Sequence, residues 1–298
     1  MFSWAEPDPA ALRALLVAVS AVDGRPDLAE TGVPSEFTGG EHLLAHEDGE
    51  LVGYAHLNTG GDSFGRLVGD LLVRPADRGR GIGTELATRL LTRAGVAATG
   101  DPGDTLRVWA PGDQPAAAAL AGKLGFRPVR RLLRLRMPLT DQVPAARLPD
   151  GVTLRAFVPG RDEAAFLEVN RQAFAWHPEQ SALADADLRQ EEAEPWFDPA
   201  GFLLAVDGDD RLLGFHWTKV HPDVDGGPMG EVYVVGVRPG AQGGGLGRAL
   251  TLAGLSYLRE RRAMDRVMLY VESDNEPALA VYRKLGFREW DASVQYAH

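Results

Sequence analysis

Hydrophobic positions along this chain alternate between strand-like and helix-like spacings, and the alternation occurs twice. In the first half, apolar residues recur at helical spacing from Leu12 to Val19, and Asp8 precedes them as the expected N-cap. Short apolar runs bounded by turn residues predict strands at residues 43–45, 51–57, 67–73 and 106–110. Amphipathic segments predict helices at residues 83–96 and 115–124.

The second half repeats this plan. Strands are predicted at residues 152–157, 202–206, 212–219, 231–237, 266–272 and 290–296. Helices are predicted at residues 161–175, 185–194, 246–261 and 277–285. An antiparallel start followed by alternating strands and helices is typical of an α/β fold with a mixed, twisted sheet flanked by helices. The sequence therefore predicts two tandem domains, residues 1–140 and 152–298, joined by a linker at residues 141–151.

Sequence landmarks show that the two halves are an internal duplication. The glycine-rich segments Arg78–Gly83 and Gln242–Gly247 lie 164 residues apart, and Val-Arg-Pro precedes each of them. The string Lys-Leu-Gly-Phe follows in both halves, at Lys123–Phe126 and Lys284–Phe287. Landmarks that recur in the same order indicate a repeated structural unit.

The glycine-rich segments are suited to hold a phosphate group. Glycine permits the backbone angles at which successive N–H groups point at one anion, and a helix that starts there adds its partial positive charge. The alternative is that each glycine-rich turn serves only the packing of a strand against a helix. The occurrence of the same turn in both copies disfavours this alternative. Neither copy ends in Gly-Lys-Ser/Thr, which disfavours a nucleoside-triphosphate loop, and Thr84 and Arg248 stand where a dinucleotide fingerprint needs glycine.

Composition narrows the class of protein. The chain has 298 residues, 45% of them hydrophobic, which is enough for two cores of ordinary size. Its net charge of −11 argues against a nucleic-acid partner, and the absence of cysteine excludes disulfides and thiolate chemistry. We find no apolar run of membrane-spanning length and no signal-peptide pattern. We expect a cytoplasmic monomer that acts on a small molecule and does not bind a membrane.

The order of these motifs resembles the GNAT acetyltransferases. The second half carries the family signature at Gln242–Gly247, Asn275 and Ala280–Phe287. The strings FAWHPEQ, GFHWTKVHP, GEVYVVGV and LYVESDN resemble tandem GNAT enzymes that acetylate the cysteinyl amine of cysteinyl-glucosaminyl-inositol. The resemblance implies acetyl-CoA as the co-substrate, with its pyrophosphate on the loop amides and no metal.

The same resemblance assigns coenzyme A contacts in both copies. In the first copy they are Leu71, Leu72, Val73, Gly79, Arg80, Gly81, Ile82, Gly83 and Thr84. In the second copy they are Val235, Gly236, Val237, Gln242, Gly243, Gly244, Gly245, Leu246, Gly247, Arg248, Asn275, Glu276, Pro277, Ala278, Leu279 and Ala280.

Acetyl transfer to an amine needs a base, an acid and a site for the oxyanion. An α-amino group has a pKa of about 7.7 to 8.0, so a base helps at neutral pH, and Glu231 is the candidate because it is the only acid in an apolar strand. Tyr282 is the candidate acid for the leaving thiolate. A carboxylate that merely faces water and a tyrosine of the core are the alternatives. Backbone N–H groups at residues 235–237 are candidates for the oxyanion site, and Gly236 suggests a bulge there.

The first copy lacks both candidate groups. The loop offset matches Glu231 with Leu67, and the Lys-Leu-Gly-Phe offset matches Tyr282 with Ala121. We expect the first domain to bind an acyl-CoA without catalysing transfer.

The acceptor site is predicted mainly from the resemblance. The residues that the resemblance assigns to this site are Glu30, Glu179, Lys219, Glu231 and Tyr270. Carboxylates and an ammonium group suit a polyhydroxylated amine, although Glu30 also fits a solvated loop charge. His177, His216 and His221 form no recognisable metal-ligand spacing and are interpreted as structural. Residues 207–210 are interpreted as a hairpin turn.

Two other functions stay open. An acetyltransferase of another amine, such as an aminoglycoside or a protein N-terminus, shares every coenzyme feature. A binding module that responds to acyl-CoA without turnover is disfavoured by Glu231 and Tyr282 in one copy.

Overall fold

The computed structural model describes residues 1–23, 37, 39–62, 64–95, 105–140, 143–177, 180–224 and 226–298. The chain forms two compact units. Unit 1 comprises Met1–Arg134, Val271–Asn275 and Glu289–His298. Unit 2 comprises Leu135–Tyr270 and Glu276–Arg288.

The strands are β1 (Phe2–Trp4), β2 (Glu41–Glu47), β3 (Glu50–Asn58), β4 (Leu67–Val73), β5 (Leu106–Pro111), β6 (Arg127–Pro138), β7 (Thr153–Ala156), β8 (Phe202–Val206), β9 (Leu212–His221), β10 (Met229–Val237), β11 (Arg266–Glu272) and β12 (Arg288–Ala297). The helices are α1 (Pro9–Asp23), α2 (Ile82–Arg93), α3 (Pro115–Lys123), α4 (Glu163–Ala173), α5 (Asp185–Glu192), α6 (Leu246–Glu260) and α7 (Glu276–Leu285).

Unit 1 is a mixed sheet with helices on both faces. Its strands pair in the order β1, β2, β3, β4, β5, β12, and only β4 and β5 run parallel. The apolar stripe of α1 packs with Tyr54 and Leu72, whereas that of α2 packs with Val52 and Leu106. The amphipathic helices predicted from sequence thus bury their apolar faces on opposite sides of the sheet.

Unit 2 has the same plan. Its strands pair in the order β11, β10, β9, β8, β7, with β10 and β11 parallel. Helix α4 places Phe166 among Phe202, Phe215 and Trp217 on one face, and α6 buries Leu250 on the other. The α/β fold class with a mixed sheet and flanking helices is confirmed.

Three strands differ from the prediction. The three-residue strand β1 was not predicted. Strand β6 was not predicted, because arginines interrupt its apolar pattern; Arg130 and Arg134 have the carboxylate partners Glu272 and Asp291. The last strand was predicted to complete the second domain, but Ser293–Ala297 pair with Pro111–Arg107 of β5 in unit 1. The chain terminus therefore belongs to unit 1, since the open edge of β5 supplies the backbone partners that a strand needs.

The compact units also differ from the predicted domain bounds. The first segment of unit 1 ends at Arg134 rather than at residue 140. Unit 1 also includes Val271–Asn275 and Glu289–His298. Residues 143–149 of the predicted linker contain no helix or strand. The assignment of roles to two domains stays a prediction.

Candidate active site

The glycine-rich loop of unit 2 leads directly into helix α6. Gly243 and Gly245 have φ angles of 88° and 81°, and Gly245 is the N-cap of the helix. A Cβ added to either residue would meet no heavy atom within 4 Å, so the left-handed backbone, not crowding, is what favours glycine.

Unit 1 contains the same loop geometry. Gly79 and Gly81 have φ angles of 75° and 89°, and Gly81 is the N-cap of α2. In the part of the chain that the structure describes, the backbone N–H groups of residues 79–84 and 243–248 have no hydrogen-bond acceptor. Clustered N–H groups at a helix start fit a phosphate, so both loops suit the pyrophosphate of coenzyme A.

The strand before each loop separates from its parallel neighbour. The pairing of β10 with β11 covers only Gly230, Glu231 and Val232. The N–H of Arg238 donates to Leu213 O at 2.8 Å. Because N–H directions alternate along a strand, the N–H of Gly236 also points to β9, and those of residues 235 and 237 point to the opposite edge.

The corresponding edge of unit 1 is built in the same way. The N–H of Arg74 donates to Val52 O at 2.8 Å, so the N–H groups of Leu71 and Val73 point away from β3. The Leu72 N–H points to β3. Each copy therefore presents two amides, two residues apart, beside its glycine-rich loop.

The bulge in β10 lies at Tyr233, not at Gly236 as the sequence suggested, since the register with β9 shifts between Val232 and Val234. Gly236 has another reason to be glycine: a Cβ there would lie 2.6 Å from Phe215 Cζ and 3.2 Å from Phe174 Cε2. One extra residue reverses the alternation of side chains. The bulge thus places Glu231 and the Cα face of Gly236 on the same side of the sheet.

Glu231 lies on β10 and is only 4% exposed, so it is not a carboxylate that faces water. Its Oε2 lies 2.6 Å from Nε2 of His221, which is 2% exposed. His221 was interpreted from sequence as structural. Its contact with Glu231 depends on strand register, which the sequence did not reveal.

Lys219 is the cross-strand partner of Glu231, so the two side chains share one face of the sheet. The Lys219 ammonium lies 4.6 Å from the ring centre of Trp196 and 5.6 Å from that of Tyr233. The Tyr233 hydroxyl donates to Glu191 Oε1 at 2.8 Å, and burial raises the pKa of Glu191. Trp196, Tyr233 and Glu191 were not predicted as site residues.

Tyr282 lies on α7, half-buried, with its ring 5.7 Å from that of Phe287. Its hydroxyl makes no hydrogen bond with any described residue, and burial raises the pKa of Tyr282 to about 12. The hydroxyl is therefore protonated throughout the neutral range, as a proton donor requires.

The other predicted residues of the second copy lie on β11, in the first turn of α7 and just before that helix. Tyr270 on β11 shares the face of Glu231, because Met268 is the lateral partner of Glu231 and alternate residues face the same way. Residues 276–280 form the first turn of α7, where Leu279 is fully buried. Asn275 belongs to unit 1, and its N–H donates to Glu272 O. Glu30 and Glu179 lie outside the described residues.

The first copy has no counterpart of the acid or the base. Asn58 occupies the β3 position that Lys219 occupies in β9, and its partner on β4 is Val68. The position equivalent to Glu231 is therefore Val68 rather than Leu67, because β4 lacks the extra residue of the bulge. Ala121 does match Tyr282, since each accepts the same hydrogen bond, from the N–H of Phe126 and of Phe287.

Comparison with known proteins agrees with this geometry. An acetyltransferase (GNAT) family profile matches residues 166–287, and an acetyltransferase (GNAT) domain profile matches residues 38–128. A mycothiol acetyltransferase of Saccharomonospora viridis is 51% identical over 99% of this chain and 98% of its own. Another, of Amycolatopsis mediterranei, is 53% identical over 96% of this chain and 93% of its own. The chain therefore belongs to the GNAT acetyltransferases and, among them, to the mycothiol acetyltransferase family.

Solved structures share the fold along the whole chain. A GCN5-related N-acetyltransferase from Sphaerobacter thermophilus has a TM-score of 0.71 at 26% identity, covering 100% of this chain and 95% of that one. A tandem GNAT protein from the clavulanic acid biosynthesis pathway has a TM-score of 0.67 at 21% identity. The match covers 100% of this chain and 98% of that one. Within the described ranges, no helix is long and apolar enough to cross a membrane, and no three metal-ligating side chains cluster.

Proposed function

We propose that this chain transfers the acetyl group of acetyl-CoA to the cysteinyl amine of cysteinyl-glucosaminyl-inositol, the last step of mycothiol formation. The observation that carries the proposal is the 51% identity to a mycothiol acetyltransferase over 99% of the chain, because a match of that length includes both copies and the whole candidate site. The GNAT family uses acetyl-CoA as co-substrate, and the two amide clusters fit its phosphates.

The chemistry would take place in unit 2. Glu231 removes a proton from the acceptor ammonium, so that the nitrogen lone pair can attack the thioester carbonyl. The edge amides of Val235 and Val237 are the donors available to the developing oxyanion, since the Gly236 N–H is directed to β9. The C–S bond then breaks, and the Tyr282 hydroxyl donates its proton to the leaving thiolate.

The other proposed contacts follow from chemical type. Lys219, Tyr270, Glu30 and Glu179 would bind the hydroxyl and amine groups of the acceptor. Unit 1 would hold a second acyl-CoA at its loop without turnover, because Val68 and Ala121 replace the base and the acid. We also propose that the enzyme works as a cytoplasmic monomer without a bound metal.

An acceptor screen tests the proposal. Thiol release from acetyl-CoA is followed with cysteinyl-glucosaminyl-inositol, with an aminoglycoside and with an N-terminal peptide amine. We expect the highest kcat/KM for the first acceptor. Faster turnover of either other amine would reassign the substrate, and release of thiol with no acceptor at all would indicate only hydrolysis.

A further inference from the structure

His221 is a buried titratable residue that has no role in the steps proposed above. Its Nε2 lies 2.6 Å from Glu231 Oε2, and the two side chains are 2% and 5% exposed. Among the described residues, Oε1 of Glu231 has no hydrogen-bond partner, so one carboxylate oxygen is held and the other is available.

We propose that His221 is a positioning residue that holds Oε2 of Glu231 and so directs its Oε1 toward the acceptor amine. This inference rests on the proposed role of Glu231 as the base. A base must lie within hydrogen-bond reach of the proton that it removes, so its carboxylate needs one fixed orientation. The contact of Oε2 with His221 supplies that orientation.

The proposed base is an ionised carboxylate, and an ionised carboxylate only accepts hydrogen bonds. In that role of Glu231, Nε2 of His221 carries the hydrogen that lies between the two atoms. His221 thus donates to Oε2 and leaves Oε1 to accept the proton of the acceptor.

Other ionisable groups face the pair from neighbouring elements. Lys219 on β9 is the cross-strand partner of Glu231, and its ammonium contacts the rings of Trp196 and Tyr233. Glu191 on α5 accepts from Tyr233, and Tyr270 on β11 lies on the same face. Nε2 of His221 lies at hydrogen-bond distance from the Glu231 carboxylate.

The proton balance of the step is simple. An N–H bond of the acceptor ammonium breaks, its electron pair stays on nitrogen, and the proton binds to Glu231 Oε1. His221 keeps its own Nε2 proton and donates to Oε2 before and after the transfer. Solvent removes the proton from Glu231 after the product leaves.

Two variants test the role of His221. His221→Phe removes the donor, and His221→Asn replaces the imidazole by an amide donor that does not titrate. Misplacement of a catalytic group costs on the order of a hundredfold in rate, so we expect kcat to fall by about that factor in His221→Phe, with the KM for acetyl-CoA unchanged. His221→Asn should recover part of the loss. His46→Asn, on β2 of unit 1, is the matched histidine control.

A double-variant cycle separates positioning from mere packing. If His221 acts only through the Glu231 carboxylate, adding His221→Phe to Glu231→Gln should cause no further loss of kcat, because the group that His221 positions is already absent. An additive loss in the double variant would overturn the proposal. A raised KM for acetyl-CoA with unchanged kcat in His221→Phe would also overturn it.

Carbon-13 NMR of the glutamate carboxyl groups gives a reading that needs no acceptor. The Glu231 signal, identified by its absence in Glu231→Gln, should change its chemical shift in His221→Phe, because the carboxylate loses its hydrogen-bond donor. An unchanged chemical shift would refute the inference even if the enzyme is active. If no acceptor is acetylated but the signal moves, the proposed function fails and the coupling of His221 to Glu231 stands.

Discussion

The two copies share their loop geometry and differ at the positions that the proposed chemistry needs. Both present left-handed glycines and two outward amides on the preceding strand, and the N–H groups at the helix start have no acceptor among the residues that the structure describes. Unit 2 adds the bulge at Tyr233, and with it Glu231 and Tyr282, where unit 1 has Val68 and Ala121. In the proposed function, coenzyme binding and acetyl transfer therefore depend on separate features of this fold.

A second contrast lies in the buried core beside these strands. In unit 2, Phe202 and Trp217 are register partners with rings stacked 4.5 Å apart. In unit 1 the corresponding register partners are His42 and His56, with ring centres 5.2 Å apart, and His42 Nδ1 lies 2.8 Å from the hydroxyl of Tyr54. Unit 1 thus has a polar cluster where unit 2 has two stacked aromatic rings.

The largest effect should come from the glycine-rich loops. Gly245→Val introduces a side chain into the amide cluster at a φ of 81°, and we expect turnover to be abolished. Gly81→Val, at a φ of 89°, should remove one bound equivalent of acetyl-CoA and leave turnover largely unchanged. Calorimetric stoichiometry and steady-state rates measure both. A folded Gly81→Val protein without activity would show that unit 1 takes part in the chemistry.

The next effect concerns the base. General bases contribute about a hundred- to ten-thousand-fold in rate, so Glu231→Gln should lower kcat by a factor in this range while acetyl-CoA still binds. Val68→Gln at the equivalent position of unit 1 is the control and should keep its kcat. Near-normal kcat of Glu231→Gln at every pH between 6 and 9 would refute the assignment.

The acid should matter less than the base, because solvent can protonate a thiolate. We expect Tyr282→Phe to lower kcat by about a hundredfold at neutral pH, because burial raises the pKa of Tyr282 to about 12 and the wild-type hydroxyl is protonated there. Ala121→Ser, at the position of unit 1 that matches Tyr282, is the control and should keep its kcat. If stopped-flow thiol release is equally fast in Tyr282→Phe and wild type, another group is the donor.

The smallest effect is a pH dependence of stability. Burial lowers the pKa of His216 in unit 2 to about 4. The unfolded chain then binds more protons than the folded chain as pH falls from about 6.5 to 4, so stability is lost in that window. The loss between pH 7.5 and 5 should be about 2 kcal/mol. Burial also lowers the pKa of His42, so unit 1 should lose stability in the same direction.

Hydrogen exchange resolved by residue measures this dependence separately in each unit. His216→Asn should reduce the pH dependence of protection in unit 2 and leave that of unit 1 unchanged. An equal change in both units would mean that they do not unfold independently, and no change would mean that His216 is not the titrating group.

The sequence by itself determined the repeated plan of the fold. Apolar periodicity located most strands and helices, and Asp8 preceded α1, which begins at Pro9 as expected. Residues 207–210 form the predicted turn, where the Asp207 carboxylate accepts from the N–H of Asp209 and of Arg211. Such features depend on neighbours in sequence, so local patterns suffice to predict them.

Only the tertiary structure decided the features that depend on pairing between distant segments. Nothing in the local pattern of residues 288–297 indicates that they pair with β5, because any open strand edge offers the same backbone groups. The arginines of β6 interrupt the apolar pattern by which a strand is predicted, and their carboxylate partners lie far along the chain.

The candidate site shows the same division. Glycine spacing predicted both loops, since φ angles in the left-handed region restrict residue type locally. The bulge at Tyr233, the equivalence of Glu231 with Val68 and the contact of His221 with Glu231 all follow from the register of β10 against β9. Register is set by side chains and hydrogen bonds across strands, so it is decided only when the sheet assembles.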